Sequence, residues 1–540
     1  MKFKELTEEL IAQIMDVYLN KDVSWDDRMN SIKLLTGKSE RTVRKWLVKL
    51  NIKEKPETEE PEQYKAARTK MFNKEKNYFL ITWGQANTPI HKGLLKNMEA
   101  YADFLDGEIH VIAGRYKNPT TLNSSQVARE TETWVKEIDE YLDANKHDIH
   151  KYLSIMSDVK SQPTAVNPMS GMQGVSGLNS CIFGSPKMQM EMIPVLYGCN
   201  PKTMYTTGAV TKMNYTDTKV GKKGEFHHVY GFVIVEIVNK DTMPHIRQVT
   251  AHDKTGDFSD LYYRVENGKV TQQTSIEGIV FGDIHFGWED KDVLSKTHEL
   301  LTKLKPKNVV LHDVFDGQSI SHHDMKSPTI QYGKEFHNLN SLKGEIDYML
   351  EGLKPFEKYE NVVIVRSNHD DFLDRWIDNE DWRKQPTMKN SREYAKYMDL
   401  LCQQREKDMY NVKGIIPEII NEKYPKFVTL RRNSSYRIKK WEVGQHGDIG
   451  ANGSRGNLNQ YRTLNTKVIV GHSHTPGRKD GALQVGTSTT LRMGYNLGPS
   501  SWLQSHILIQ NDGKAQHINF FRNDKGEVSF TTFKFVNKNK

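Results

Sequence analysis

The sequence predicts an α/β protein, because apolar runs of strand length alternate with longer segments of helical periodicity. Helical patterns cover residues 290–304 and 334–353 in the second half of the chain. Alternation of this kind builds a sheet covered by helices, with ligand-binding loops at the carboxyl ends of the strands. Three runs in that half have the length of buried strands: residues 276–281, 308–311 and 362–365.

Residues 1–54 are predicted to form a small helical domain with a basic face. Ser24 caps the second helix, with Asp27 three residues on, and Ser39 caps the third after a turn at Gly37. This layout is typical of a helix-turn-helix, whose second helix could enter the major groove of DNA. A helical bundle with a solvated basic face and a protein-docking module are the alternatives. The predicted DNA-binding residues are Arg41, Arg44, Lys45 and Lys49.

Residues 55–75 are predicted to be a charged linker or a solvated helix, and residues 76–272 a middle α/β domain. The pattern from residue 78 predicts a strand at 78–82, a helix at 91–104, a strand at 109–113 and a second amphipathic helix at 129–144. No glycine-rich fingerprint follows the first strand, so no nucleotide is predicted there. The role of this domain stays open between a substrate clamp, an oligomerisation platform and an ancient duplicated scaffold.

Overall composition favours a soluble cytoplasmic protein. The mean hydropathy is −0.68, and no apolar run is long enough to span a bilayer, so no membrane is expected as a partner. The first residues lack the apolar region of a signal peptide. The three cysteines are odd in number and widely spaced, which indicates free thiols in a reducing compartment. A net charge of +8 permits a nucleic-acid partner without requiring one.

Five predicted strand ends, all beyond residue 273, carry polar residues with metal-binding chemistry. Their segments are GDIHFG at 282–287, HDVFD at 312–316, RSNHD at 366–370, GQHGD at 444–448 and GHSH at 471–474. Carboxylate, imidazole and amide donors without a thiolate suit manganese, iron, zinc or magnesium. Seven ligands exceed the needs of one ion, whereas two ions sharing a carboxylate about 3.5 to 4 Å apart would use them all. The seven are Asp283, His285, Asp313, Asn368, His446, His472 and His474.

In order and spacing these segments resemble the motifs of the calcineurin-like metallophosphoesterase superfamily, which run DxH, GDxxD, GNHD, a lone His before Gly, and GHxH. The resemblance covers residues 273–540 and implies a catalytic domain built as a two-sheet sandwich flanked by helices. It also implies that Asp283, His285 and His474 hold one ion, that Asn368, His446 and His472 hold the other, and that Asp313 bridges them. His312 and Ser367 replace glycines of the family pattern, which affects backbone shape and removes no ligand.

The same resemblance implies catalytic roles for two further residues. His369 is similar to the family histidine that protonates or stabilises the leaving oxygen, and Asp316 matches the carboxylate that orients that imidazole. A structural salt bridge is the alternative for Asp316. Two divalent ions, with manganese expected first and magnesium, iron or zinc as alternatives, would lower the pKa of a bridging water so that hydroxide attacks phosphorus in line.

The second motif and the N-terminal helices together favour DNA as the substrate. HDVFD followed by QSIS is more similar to the SbcD-type repair-nuclease branch than to the GDxVDRG of protein phosphatases. A helix-turn-helix on such a core also resembles deoxyribonucleases of large tailed phages, which act in the host cytoplasm. That repair nuclease works with an ATPase, and no Walker motif is present here, so such a motor would be a separate partner protein.

The expected activity is therefore metal-dependent hydrolysis of DNA phosphodiester bonds. The alternatives are a phosphoesterase acting on phosphoproteins or on cyclic or small phosphodiesters, and a DNA-binding regulator with a phosphoesterase-like domain. Endo or exo mode, oligomeric state and physiological metal are left open, and a homo-oligomer remains among the possibilities.

Overall fold

The protein is seen here as a computed structural model that describes residues 3, 6–20, 22–50, 61–115, 132–385 and 387–533. The chain folds into two compact units, Met1–Glu62 and Gln63–Lys540. The predicted α/β class is confirmed, because the described residues form both helices and several sheets. None of the helices in these ranges is both long and apolar enough to cross a lipid bilayer.

In its described part, the first unit consists of three helices, as the sequence predicts. They span Glu8–Leu19, Trp25–Thr36 and Glu40–Lys49. The side chain of Ser24 caps the second helix by accepting from the Asp27 N–H, and Gly37 ends that helix with φ at 64°. Such a left-handed C-cap is far easier for glycine than for other residues. A small core holds the three helices together: Ile14, Met29, Ile32, Val43 and Leu47.

Three larger sheets dominate the described part of the second unit. In spatial order, sheet A contains Leu142–Asp143, Glu108–Gly114, Tyr78–Gln85, Gly231–Glu236 and His245–Thr250. Sheet B contains Val428–Thr429, Asn361–Val365, Asn308–His312, Gly278–Val280, Ser505–Ile509 and Ala515–Asn519. Sheet C contains Arg437–Ile438, Trp441–Glu442, Lys467–Val470, Ala482–Gln484, Gly477–Lys479, Met190–Ile193, Lys202–Thr206, Ser180–Phe183, Leu153–Met156 and Lys146–His150.

Smaller strands and the helices surround these sheets. The remaining strands are Phe258–Asp260, Tyr263–Glu266 and Lys269–Gln272, with the pair Phe521–Arg522 and Val528–Ser529 near the end. The α-helices are Glu62–Ala67, Lys92–Leu105, Lys219–Phe226, Lys291–Leu304, Pro328–Phe336, Leu342–Leu353, Asp370–Asn379, Met388–Lys407, Ile415–Lys423 and Leu458–Tyr461. The 3-10 helices are Lys136–Tyr141, Gln318–Ile320, Lys354–Phe356, Trp382–Lys384 and Ala451–Gly453.

Three predicted elements differ from the structure. Residues 129–131 of the predicted helix 129–144 lie outside the described residues. Its described part is an irregular stretch at 132–135, a 3-10 helix and then a two-residue strand that joins sheet A. The predicted helix 334–353 is two helices, because the first ends at His337 and Ser341 caps a new one. Within the predicted linker, residues 62–67 are helical, and Tyr64 is buried in the core of the second unit.

Strand pairing joins the predicted middle and catalytic domains. Sheet C takes half of its strands from residues 146–206 and half from residues 437–484, and the two sets meet where Arg478 pairs with Met190. The predicted boundary between residues 272 and 273 therefore lies inside one compact unit. One apolar core lies between sheet C and sheet A, and another between sheet C and sheet B.

The two halves of the second unit repeat one arrangement of strands. In sheet A, strands 142–143, 108–114 and 78–85 are parallel and are followed by two antiparallel strands. Sheet B has the same order and directions, with one further parallel strand at its edge. In sheet C, the succession of antiparallel and parallel strand pairs is the same when counted from either edge of the sheet. This repetition favours the duplicated scaffold among the roles left open for residues 76–272.

Candidate metal centre

The seven predicted ligands converge where strands of sheets B and C end. Strands Gly278–Val280, Asn308–His312 and Asn361–Val365 of sheet B lead to Asp283, His285, Asp313 and Asn368. Strands Trp441–Glu442 and Lys467–Val470 of sheet C lead to His446, His472 and His474. The carboxyl ends of parallel strands are the usual place for ligand sites in α/β sheets.

The first group lies around the DxH motif. His474 Nε2 is 3.2 Å from Asp283 Oδ2 and 3.1 Å from His285 Nε2, which in turn is 3.3 Å from Asp313 Oδ2. These four side chains are buried, and one ligand atom from each lies within 4.8 Å of the others. They could hold a metal ion, and they are the predicted first set with its bridging carboxylate.

The second group lies around Asn368 and also contacts Asp313. His446 Nε2 is 3.1 Å from Asp313 Oδ2 and 3.1 Å from Asn368 Oδ1. His472 Nδ1 is 3.0 Å from the same amide oxygen of Asn368. Asp313 Oδ2 thus faces both groups, as a shared carboxylate must.

Several buried polar atoms of this site lack hydrogen-bond partners. Both carboxylate oxygens of Asp283, Oδ1 of Asp313 and Nδ1 of His474 are in this state. A buried carboxylate without donors is costly unless a cation balances it. The atoms that could bind a metal here are oxygens and imidazole nitrogens only, a mixture that suits manganese, iron, zinc or magnesium. The residues present therefore fit the divalent ions that the sequence predicts.

The charges of the site are strongly coupled. Burial alone would raise the pKa of Asp313, but His446 and His285 outweigh it and hold that pKa well below its usual range. In the other direction, burial would lower the pKa of His446, while Asp313 and Asp283 raise it to about 9. The carboxylates are therefore ionised and attract positive charge, whether it comes from protons or from metal ions.

The backbone carries strain at the ligands. His285, Asp313, His472 and His474 have φ between 46° and 76°, in the left-handed region. A non-glycine residue held there costs on the order of 1 to 3 kcal/mol, and such residues cluster at functional sites. Gly471 is constrained in another way, because a Cβ on it would stand 2.4 Å from Asp283 Oδ1. The strand ends are thus shaped to aim side chains at one point.

Asp316 contacts two histidines through different atoms. Its carboxylate oxygen Oδ1 accepts from His285 Nδ1 at 2.9 Å, whereas His369 Nδ1 is 3.8 Å from it. His369 Nδ1 instead donates to the backbone oxygen of Asp316 at 2.6 Å. The carboxylate therefore orients the metal-site residue His285, and the main chain orients the predicted catalytic histidine. Orientation of a ligand histidine by a carboxylate is a common feature of metal sites.

Two buried histidines that the sequence motifs did not assign to the site support its ligands. His312, noted only as a replacement for glycine, has Nδ1 3.3 Å from Nδ1 of His446, and burial together with His446 lowers its pKa to about 4. Neutral His312 can accept from His446 and so leave Nε2 of His446 facing Asp313. His506 accepts from the Gly282 N–H at 2.9 Å and fixes the start of the DxH motif. Only the long-range pairing of strands reveals either role.

An aromatic side chain from the C-terminal part of the chain lies against the first group. The Trp502 ring is 4.2 Å from the His474 ring, in an edge-on arrangement. Trp502 follows a loop of mixed composition, and no sequence pattern connects it with the ligand motifs. Its position limits how the His474 imidazole can turn.

The predicted DNA-binding residues lie on the third helix of the first unit. Arg41, Arg44, Lys45 and Lys49 are all exposed, while Val43, Trp46 and Leu47 are buried. Arg44 forms an ion pair with Glu40, the first residue of the helix, at 2.5 Å. The helix therefore presents a basic face to solvent, with one of its four cations partly neutralised.

Comparison with known proteins gives the chain a family. No protein-family model matches it. Protein A1 of Escherichia phage T5 is 30% identical to it over 464 residues, which cover 83% of this chain and 82% of that protein. Such identity over most of both chains indicates common descent, and the chain belongs to the family of Protein A1 of Escherichia phage T5.

Proposed function

We propose that this protein is a metal-dependent deoxyribonuclease that hydrolyses DNA phosphodiester bonds with two divalent ions. The observation that carries the proposal is the meeting of seven ligand side chains, in which Asp313 contacts both groups and buried carboxylate oxygens lack hydrogen-bond partners. The two-sheet arrangement and the motif order support a metallophosphoesterase core. Manganese is the first candidate for the ions.

The ions, when bound, would supply a water of lowered pKa and polarise the phosphate. Asp283, His285, His474 and Asp313 would hold one of them, and Asn368, His446, His472 and Asp313 the other. Asp316 keeps Nε2 of His285 directed inward by accepting from its Nδ1. His312 does the same for His446.

His369 would serve the leaving group. Its Nδ1 carries the proton, because the backbone oxygen of Asp316 can only accept. That leaves Nε2 to exchange a proton with the departing oxygen. Burial lowers the pKa of His369, although the carboxylate of Asp313 acts against that shift. The lowered pKa makes the imidazolium a stronger acid.

DNA is proposed as the substrate because a basic helix accompanies the centre on the same chain. Four exposed cations on Glu40–Lys49 would meet phosphates, a contact that is independent of sequence and sensitive to salt. Membership in a family that includes a phage protein supports a phage-encoded enzyme that acts in the host cytoplasm. A partner protein or a homo-oligomer would add to this activity without changing its chemistry.

One assay tests the chemistry. Purified protein is incubated with supercoiled plasmid and with linear duplex, in manganese, magnesium or EDTA, beside the variant Asp313→Asn. We expect cleavage with metal and none with EDTA or with the variant. Turnover of phosphopeptides or cyclic nucleotides without DNA cleavage would favour the alternative phosphoesterase.

A second assay tests the basic helix. Replacing Arg41, Arg44, Lys45 and Lys49 by alanine should weaken DNA binding at low salt and flatten its salt dependence, because each phosphate contact releases counterions. Turnover of bis-p-nitrophenyl phosphate should not change. Unaltered DNA affinity would return the first unit to a protein-docking role.

A further inference from the structure

A cavity with charged residues in its wall lies away from the metal centre, at the seam where the two halves of sheet C meet. Its volume is about 480 Å³, within the range of small-molecule sites. Its walls come from the seam strand Gly477–Lys479, from Trp441 and Lys467 of the second half, and from Phe226 and Thr250 of the first. No motif in the sequence and no residue of the metal centre contributes to it.

The lining of this cavity has an excess of positive charge. Five of its residues are lysine or arginine, and three are acidic. The five are Lys440, Arg462, Lys467, Arg478 and Lys514, and the three are Glu225, Asp253 and Asp480.

Each acidic residue is already paired with a particular cation or histidine. Asp480 is 3.7 Å from Arg462 and 3.5 Å from His227, and Asp253 is 3.5 Å from Lys514. Glu225 contacts Lys222 at 3.5 Å. Within the described ranges of the chain, Lys440, Lys467 and Arg478 have no carboxylate within ion-pair distance. Three lining cations therefore have no ion-pair partner among the described residues.

Arg478 is the centre of this group. It is 7% exposed, its Nη2 donates to Thr250 Oγ1 at 3.1 Å, and its Nε has no hydrogen-bond partner. Burial lowers the pKa of Arg478 to about 10, with Asp480 opposing the shift only in part. An unpaired buried guanidinium is expensive, so an anion that accepts from it would be held well.

Lys467 lines the same cavity as Lys440, Arg478 and Lys514. Desolvation and the neighbours Lys440, Arg478 and Lys514 lower its pKa to about 8. Its ammonium lies 5.6 Å from the centre of the Trp441 ring. A ligand with two negative charges would relieve this repulsion, and a phosphate offers both the charge and several acceptor oxygens.

We propose that this seam cavity binds the phosphate group of a small phosphorylated ligand of nucleotide size. Arg478 and Lys467 would contact the phosphate oxygens, and Lys440 would approach from the rim. The remaining volume and the exposed ring of Phe226 would accommodate the organic part of the ligand. This site does not depend on the proposed nuclease activity.

Calorimetric titration of the full chain in EDTA tests the proposal, because it keeps metal ions out of the other centre. The probes are inorganic phosphate, 2′-deoxyadenosine 5′-monophosphate and deoxyadenosine. We expect both phosphates to bind, the nucleotide more tightly, and deoxyadenosine not to bind. Lys467→Ala and Lys440→Ala should each weaken phosphate binding about ten-fold, since a charge-assisted contact is lost. Arg478→Met should weaken it further.

Lys389→Ala is the matched control, because Lys389 is an exposed lysine on Met388–Lys407 outside the cavity. Its affinity for phosphate should equal that of the wild type. If Lys467→Ala and Lys440→Ala both bind phosphate as tightly as the wild type, the proposed site is wrong. Binding of deoxyadenosine as tight as that of its phosphate would overturn the ligand class. Binding of a short DNA strand but of neither small phosphate would overturn the small-ligand assignment.

Discussion

Residues 78–250 and 278–519 share one order and direction of strands, yet they differ at the strand ends. In the second range, the loops after the strands bring buried carboxylates and imidazoles together. In the first range, no comparable group occurs among the described residues. The shared strand order therefore belongs to the fold, and the candidate metal centre belongs to the strand ends of the second range alone among the described residues.

Strand pairing allows the two halves to be compared position by position. Asp283 pairs with Thr487, and in the first half Trp83 pairs with Ala209 at the same place. A Cβ on Gly471 would collide with Asp283, and a Cβ on Gly184 would collide with Trp83. A buried indole thus stands where the second half has a ligand carboxylate.

The histidines of the last motif are replaced as well. Strands Ser180–Phe183 and Lys467–Val470 occupy equivalent places in sheet C. Counted from those strand ends, Ser185 and Lys187 correspond to His472 and His474. Apolar packing is retained in both halves, so the fold does not require the predicted ligands, and the candidate metal centre depends on a few side chains at the strand ends.

The largest difference between the halves should appear in metal content. His474→Ala removes a ligand of the proposed first ion, so activity should fall to the level of the metal-free protein and elemental analysis should show fewer ions. Lys187→Met, at the equivalent position, should keep both ions and full activity. Loss of metal from Lys187→Met would show that the first half contributes to the centre.

His369→Ala separates proton transfer from metal binding. Both ions and DNA affinity should be retained, while DNA cleavage falls by about 10² to 10⁴, the usual contribution of a positioned acid. The loss should be smaller on bis-p-nitrophenyl phosphate, because p-nitrophenolate leaves without a proton. Rates of both substrates at matched manganese occupancy give the comparison. An equal loss on both, or loss of an ion, would rule out the leaving-group role.

Asp316→Asn should reduce metal affinity or activity by an intermediate amount. The contact between His369 and the backbone oxygen of residue 316 should remain. The charge that supports His285 is lost, and changes of this kind typically reduce metal affinity or activity about 10- to 100-fold. The backbone oxygen that accepts from His369 is unaffected, so the loss should be the same for good and poor leaving groups. A loss of activity that depends on the leaving group would show that the carboxylate of Asp316 acts on His369.

The smallest predicted effect is on stability. The Nζ of Lys187 is buried without a hydrogen-bond partner, and burial lowers the pKa of Lys187 below its usual 10.5. Lys187→Met should therefore stabilise the unit by about 1 kcal/mol near neutral pH. The gain should shrink as the pH rises toward 10.5, because the unfolded wild type then loses its proton too. Thermal midpoints at pH 7 and pH 10 measure this, and an unchanged or lower midpoint at pH 7 would contradict it.

Sequence predicted the elements that depend on local pattern. The three N-terminal helices, the first βαβ unit and the helix at residues 290–304 follow from periodicity and caps, and the structure contains them. The break at 337–341 was missed because amphipathic periodicity continues across it.

Long-range pairing explains most of what the sequence could not show. The seven ligand residues were found because each follows an apolar run, and the structure brings them together. Three features depend on strands that are distant in sequence: the pairing of His285 with Asp316, the support from His312 and His506, and the shared sheet C. No local pattern encodes such contacts.

The seam of sheet C also bears on how the chain is made. While ribosomes synthesise the second half, strand Met190–Ile193 has no neighbour on its outer side, because its partner Gly477–Lys479 lies almost 300 residues downstream. An open strand edge is a template for pairing with other chains. Nascent copies on one messenger are therefore exposed to mispairing until residue 478 emerges. A fragment ending near residue 272 should aggregate, and supplying residues 273–540 in trans should reduce that aggregation.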